Sequence, residues 1–221
     1  MHCYLNHYCE FFCLAVACFQ LIKTQQSFFA VFTLYLLVIL SCEISITYLI
    51  EIKHIKTMII SNCLNTFILL FNAGVFIKYV HLKLFKRLII ALSSGYIIWW
   101  LICVISRGTL NYNNPNYFIV AALIQILICL LYFYFYLLID DITHSYNYYL
   151  SGFIIALGIF IFNTGAIISF TSANIILKSN LLLFGISLKY QIPRILCIPL
   201  YSLLAYALLK WKPLHPTKYI N

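Results

Sequence analysis

Charge is scarce in this chain of 221 residues. Five acidic and fourteen basic side chains amount to 9% of the sequence, against about 25% in an ordinary water-soluble domain. Too few charges remain to clothe a wetted surface, which excludes a soluble enzyme. A secreted disulfide scaffold is excluded on the same ground, and the nine cysteines form no Cys-x-x-Cys pair of the kind that marks a metal or redox site. Most of them (Cys13, Cys18, Cys42, Cys63, Cys103, Cys129, Cys197) stand inside apolar runs, where a thiol behaves as a small hydrophobe.

Other absences narrow the chemistry. No Lys or Arg precedes Lys23, so the basic start of a cleaved signal peptide is missing. Leu14-Ala15-Val16-Ala17-Cys18 resembles a lipoprotein cleavage box without that start, and is read as part of a first span. The six histidines (His2, His7, His54, His81, His144, His215) are expected in termini or loops, so no pair is placed to ligate a haem. No His-Glu-x-x-His or Gly-x-Ser-x-Gly motif occurs. His2-Cys3 with His7 and Cys9 is read as a frayed end rather than a zinc site. Asp140-Asp141, the one adjacent acidic pair, reads as a solvated helix end, because a Mg²⁺ site needs further ligands. Lys189 falls at the mouth of the last span and not within it, which excludes a retinal photoreceptor. No cofactor and no metal is expected.

What is present is apolar. Hydrophobic residues make up 64% of the chain and the mean hydropathy is +0.99. About 20 apolar residues cross the hydrocarbon core of a bilayer. Cutting the apolar runs at their charges gives seven helices: Tyr4–Ile22, Ser27–Ile50, Thr57–Val80, Leu88–Ile105, Tyr117–Ile139, Tyr148–Ser172 and Ile192–Leu209. The expectation is an all-α, seven-transmembrane-helix bundle forming one domain over residues 1–221. Gly108 to Asn116 reads as a turn-rich loop, flanked by Trp99, Trp100, Tyr112 and Tyr117 as interfacial aromatics, with Trp211 closing the last span. Leu181–Leu188, too short to cross, is expected to lie at the interface or re-enter. Gly152/Ala156 and Gly165/Ser169 form two small-xxx-small pairs of the kind that lets helices approach closely.

The net charge of +9 is not a nucleic-acid footprint, because the basic residues cluster between apolar runs. One face receives Lys23, Lys78, Lys83, Lys86, Arg87, Lys210, Lys212 and Lys218; the other receives Lys53, Lys56, Arg107, Lys178, Lys189 and Arg194. Eight against six puts the N-terminus outside and the C-terminus in the cytoplasm of a bacterial inner membrane. Lys78, Lys83, Lys86, Arg87, Lys210 and Lys212 would then contact a partner or anionic lipid, each gaining about 1 kcal/mol near charged headgroups.

Depth is the more informative signal. Polar groups in hydrocarbon are costly and turn toward the bundle interior or a wet cavity. Glu43 falls about 12 Å below the outer end of its helix. Asn62 and Asn65, Gln125 and Asn163 fall at comparable depths, with Glu10, Arg107 and Arg194 nearer the rim. Glu43, Thr47 and Glu51 form one stripe, and Asn62, Asn65 and Asn72 another. These residues predict an outward-facing polar pocket made of Glu43, Thr47, Asn62, Asn65, Arg107, Gln125, Asn163 and Arg194, able to hold a small polar or cationic ligand. Arg194 or Arg107 would be the counter-charge to Glu43.

The chain also resembles a family of small seven-helix integral membrane proteins of Bacteroidetes, mostly uncharacterised. The resemblance rests on Ser41-Cys42-Glu43, Asn65-x-Phe67-x-x-Leu70-Phe71, the basic loop Lys83 to Arg87, Ser106-Arg107, Leu131-Tyr132-Phe133-Tyr134, Gly158 to Gly165 and Leu209-Lys210-Trp211-Lys212. Tyr148-Tyr149 stands where that family commonly has Phe-Trp. Members often sit beside sensor histidine kinases, so the resemblance implies a sensory or accessory role with a membrane kinase as partner. It supplies no catalytic residue. The expected function is a non-enzymatic receptor-like or signalling-accessory protein; the alternatives are a small-solute permease, or an enzyme acting on a lipid-linked substrate through Asp140-Asp141 or Glu43.

Overall fold

A helix in a bilayer turns its apolar side outward and its small and polar side toward its neighbours. The first helix follows this rule throughout its length. Asn6, His7, Glu10, Cys13, Ala17 and Gln20 are all buried, whereas Tyr8, Phe11, Phe12, Phe19 and Ile22 are exposed. Spacings of three and four put the buried set on one face. His7 therefore belongs to a buried helical face, against the expectation that every histidine lies in a terminus or loop.

The computed structural model describes residues 5–51, 53, 57–80, 82–107, 116–137, 146–172, 182–183 and 186–211. Within them the elements are α1 (Leu5–Thr24), α2 (Ser27–Glu51), α3 (Met58–Tyr79), α4 (Lys83–Arg107), α5 (Asn116–Leu137), α6 (Tyr146–Thr171), β1 (Leu182–Leu183), β2 (Ile186–Ser187) and α7 (Leu188–Lys210). The protein is all-α apart from one small hairpin. Six helices, α2 to α7, are long and apolar enough to cross a membrane, which makes this a membrane protein. α1 does not reach that apolarity, because its inward face carries amides, an imidazole and a carboxyl group.

Within Leu181–Leu188 the described residues form two short strands: β1 and β2 pair antiparallel, Leu182 opposite Ser187 and Leu183 opposite Ile186. α7 then begins at Leu188, earlier than the charge at Lys189 and the proline at 193 led one to expect. Tyr117 is not an interfacial aromatic but is buried, its ring edge-on to Trp99 at 5.6 Å. The pair Asp140-Asp141, together with His2, Cys3, His54, His81, His144, Lys212, His215 and Lys218, lies outside the described residues.

Alternating helix directions give the bundle two unlike ends. At the end where α2 begins and α7 finishes, aromatic rings dominate. Phe28 stacks on Trp211 at 4.9 Å, Phe29 meets the same indole edge-on at 5.0 Å, and Tyr79 reaches both Phe28 and Tyr132. Lys78 lies 4.6 Å above the Phe28 ring. The other end, where α1 begins, is the polar end.

Small residues in α6 let its neighbours close in. A Cβ at Gly152 would collide with the Tyr132 hydroxyl, and one at Gly165 would meet Leu196 at 2.6 Å. The Tyr132 hydroxyl donates to the Tyr149 carbonyl at 3.1 Å, so the glycine admits the ring that ties α5 to α6. Gly152→Leu should therefore lower the melting temperature in detergent, costing about 1–3 kcal/mol as an overpacked core site. Gly74→Ala, where no atom lies within 4 Å, should leave melting unchanged or raise it slightly.

The turn between α1 and α2 is only two residues long, and Gln25 takes it with φ 52°, its N–H donating to the Leu21 carbonyl at 2.8 Å. This is the left-handed helix-terminating conformation that glycine adopts without steric cost. Gln25→Gly should raise stability by about 0.5–1 kcal/mol, read by the same melting curves.

Candidate functional site

The polar end holds a cavity of about 270 Å³ walled by six of the seven helices. α1 contributes Glu10, α2 contributes Tyr35, Ile39 and Glu43, and α3 contributes Asn65, Ile68 and Asn72. Phe118 and Gln125 come from α5, and Ile159, Phe162, Asn163, Ala166 and Phe170 from α6. α7 closes the ring with Pro193, Cys197, Leu200, Tyr201 and Leu204. Glu10, Glu43, Asn65, Gln125, Asn163 and Cys197 all lie about 8 to 14 Å from the polar ends of their helices. These six therefore form a belt at one depth, and Asn72 stands deeper on the wall, about 21 Å from the start of α3.

Four of the residues singled out from sequence meet here: Glu43, Asn65, Gln125 and Asn163. Asn62 and Thr47 do not reach the wall. Asn65 and Asn72 are seven apart and differ by only about 20° around the helix, whereas Asn62 is turned about 60° from Asn65. Asn62 is buried elsewhere, its backbone carbonyl accepting from the Thr66 hydroxyl at 3.0 Å. Thr47 is half-buried one turn nearer the end of α2 than Glu43, above the cavity. Arg194 follows Pro193 on α7 and stands beside the wall, where its positive charge acts attractively on the Glu43 carboxylate. Arg107 ends α4, a helix from which no described residue lines the cavity, and its side chain lies outside the described set.

The belt is internally braced. Asn72 Nδ2 donates to Gln125 Oε1 at 2.7 Å, both side chains buried, which ties α3 to α5 across the cavity wall. Asn163 Nδ2 donates to the Ile159 carbonyl at 2.8 Å, which leaves Asn163 its amide oxygen and one N–H to offer a ligand.

Glu10 is the residue that depth reasoning placed at the rim and left out of the pocket. It is only 3% exposed, it lines the cavity, and its carboxylate is electrostatically coupled to that of Glu43. Asn6, one turn earlier, hydrogen-bonds to it through its side chain, while Oε2 is buried with no hydrogen-bond partner. The signal that could have found it was the α1 stripe Asn6, Glu10, Cys13, Ala17, Gln20, the non-aromatic face of an otherwise aromatic helix.

Beneath the belt the cavity ends on Tyr35, Tyr201 and Leu204. The Tyr35 ring is stacked on Phe71 at 3.6 Å with 5° between planes. Farther down, Phe29, Phe32, Phe76, Tyr79 and Tyr132 are almost completely buried, so packed aromatic rings separate the cavity from the aromatic end. Of the basic residues expected to meet a partner or lipid, Lys78, Lys83, Arg87 and Lys210 are exposed and Lys86 is half-buried. Lys210 reaches over Tyr206 at 5.7 Å.

In comparison with known proteins, no family model matches the chain, and no curated protein or solved structure shows significant similarity to it.

The Asn72–Gln125 bond sets a testable energy. Asn72→Leu and Gln125→Leu should each destabilise the protein, and the double variant should be less destabilised than their sum. A coupling of about 0.6–2 kcal/mol is expected for an interhelical pair in a membrane, measured by a double-mutant cycle on thermal unfolding in detergent.

Proposed function

We propose that the protein is a seven-span receptor-like or signalling-accessory protein of a bacterial inner membrane, resembling the small seven-helix family of Bacteroidetes. Its intrabundle cavity binds a small polar ligand. The observation that carries this reading is the pairing of a polar belt at one end with a plug of packed aromatic rings at the other. A ligand held at the belt meets Tyr35, Tyr201 and the rings below them rather than a continuing polar path, which favours binding over passage. Cavities that hold small molecules have this mixed character, apolar walls with a few convergent polar groups.

In this reading α1 crosses the membrane with the others, its aromatic face toward lipid and its polar face toward Glu43 and α7. The N-terminus lies in the periplasm, and the basic end, with Lys78, Lys83, Lys86, Arg87 and Lys210, faces the cytoplasm. There it meets anionic lipid and a membrane kinase. The carboxylates bind rather than catalyse.

Purified protein screened against small polar solutes should show a ligand-dependent rise in melting temperature. At a hundredfold excess over Kd the stabilisation is about 2.7 kcal/mol. Glu43→Gln should reduce the rise, and should itself lower unliganded melting because Arg194 loses its opposite charge. Concentrative or facilitated flux of the same solute into proteoliposomes would overturn the receptor reading in favour of transport. A fluorescent protein fused to the C-terminus should be fluorescent in cells, and alkaline phosphatase fused there inactive; the reverse overturns the orientation.

A further inference from the structure

We infer that the cavity takes a small organic monocation, a protonated amine, and that Glu10 is the carboxylate that meets its charged nitrogen. This rests on the reading of the cavity as a ligand site and names the chemistry of its occupant.

Among the described residues the site sets two carboxyl groups against one nearby cation. Glu10 and Glu43 both face the cavity, and the described part of the wall contains no lysine, arginine or histidine. The cation acting on this pair is Arg194, beside the wall, and its attraction falls on Glu43. Glu43 thus has a cation acting on it. Glu10 keeps a buried oxygen, Oε2, without a hydrogen-bond partner, inside a cavity it lines, and its one amide partner, Asn6, contributes a neutral donor. Burial without a cationic partner disfavours the charged form of a carboxyl group, and one unit of positive charge brought by a ligand stabilises that form. Asn163, one of its two amide N–H groups committed to Ile159, adds an acceptor oxygen that a nitrogen carrying N–H groups can meet. A volume of about 270 Å³ falls just under the roughly 300–1,000 Å³ of sites for drug-sized molecules, so the amine is small.

Cys197 is on the same wall and reports on it. The full-length protein in detergent is treated with 2-aminoethyl methanethiosulfonate, a small cation, or with its anionic 2-sulfonatoethyl counterpart. Modification of Cys197 is read by peptide mass spectrometry, and rates are normalised to those of free 2-mercaptoethanol. The expected preference for the cation is about tenfold, the effect of a single unscreened charge at close range. Glu10→Gln should remove most of it and Glu10→Asp should retain it. Addition of butylammonium should slow labelling of the wild type, and 1-pentanol, of similar size and neutral, should not. If both reagents reach Cys197 without charge preference, or with a preference that Glu10→Gln leaves in place, the cation assignment is overturned and the ligand cavity survives. If neither reagent reaches Cys197 in the folded protein while both label it after unfolding in dodecyl sulfate, the cavity reading fails as well.

Discussion

The arrangement depends on one constraint: two carboxylates have to be accommodated within a bundle whose outside is hydrocarbon. Neither Glu10 nor Glu43 can face lipid at the depth where its helix places it, so α1 and α2 are fixed in rotation about their own axes. Once Glu10 points inward, Cys13, Ala17 and Gln20 point inward with it, and Phe11, Phe12 and Phe19 point out. Once Glu43 points inward, Ile39 and Tyr35 follow down the same side of α2 into the cavity wall. The amides of α3, α5 and α6 obey the same rule at lower cost. They converge because each is pushed off the lipid face of its own helix.

Helix number, order and approximate ends were legible because they follow from the spacing of charges along apolar runs. Depth was legible too, since rise per residue converts a sequence position into ångströms, and it brought Glu43, Asn65, Gln125 and Asn163 to one level. Azimuth was harder to read. Asn62 shares a level with Asn65 but is turned away from it, a distinction that rests on tens of degrees accumulated along a helix. Glu10 was missed for another reason: nearness to a chain terminus made it look solvated, while helix packing buries it. The hairpin at Leu182–Ser187 was illegible because a short apolar run carries no period that separates strand from interfacial helix.

The two ends of the bundle solve different physical problems. At the polar end, side chains that would be expensive in lipid are gathered and partly satisfied by each other, through Asn72–Gln125 and Glu43–Arg194. At the aromatic end, the rings of Phe28, Phe29, Tyr79, Tyr132 and Trp211 fill the space among α2, α3, α5 and the end of α7. Aromatic pairs hold by edge and face complementarity and need no polar partner. The Tyr132 hydroxyl among them is tied off locally, donating to the Tyr149 carbonyl. The glycine at 152 is the cost of that closure, a bare backbone beneath a tyrosine.

The two-residue turn at Gln25 and Gln26 bears on how α1 is held. Taken alone, α1 would partition poorly into hydrocarbon, since a buried acid, two amides and an imidazole oppose its aromatic face. The turn leaves no slack for α1 to stand apart from the far more apolar α2. The short tether keeps the two helices side by side, and the polar face of α1 is sheltered only in company.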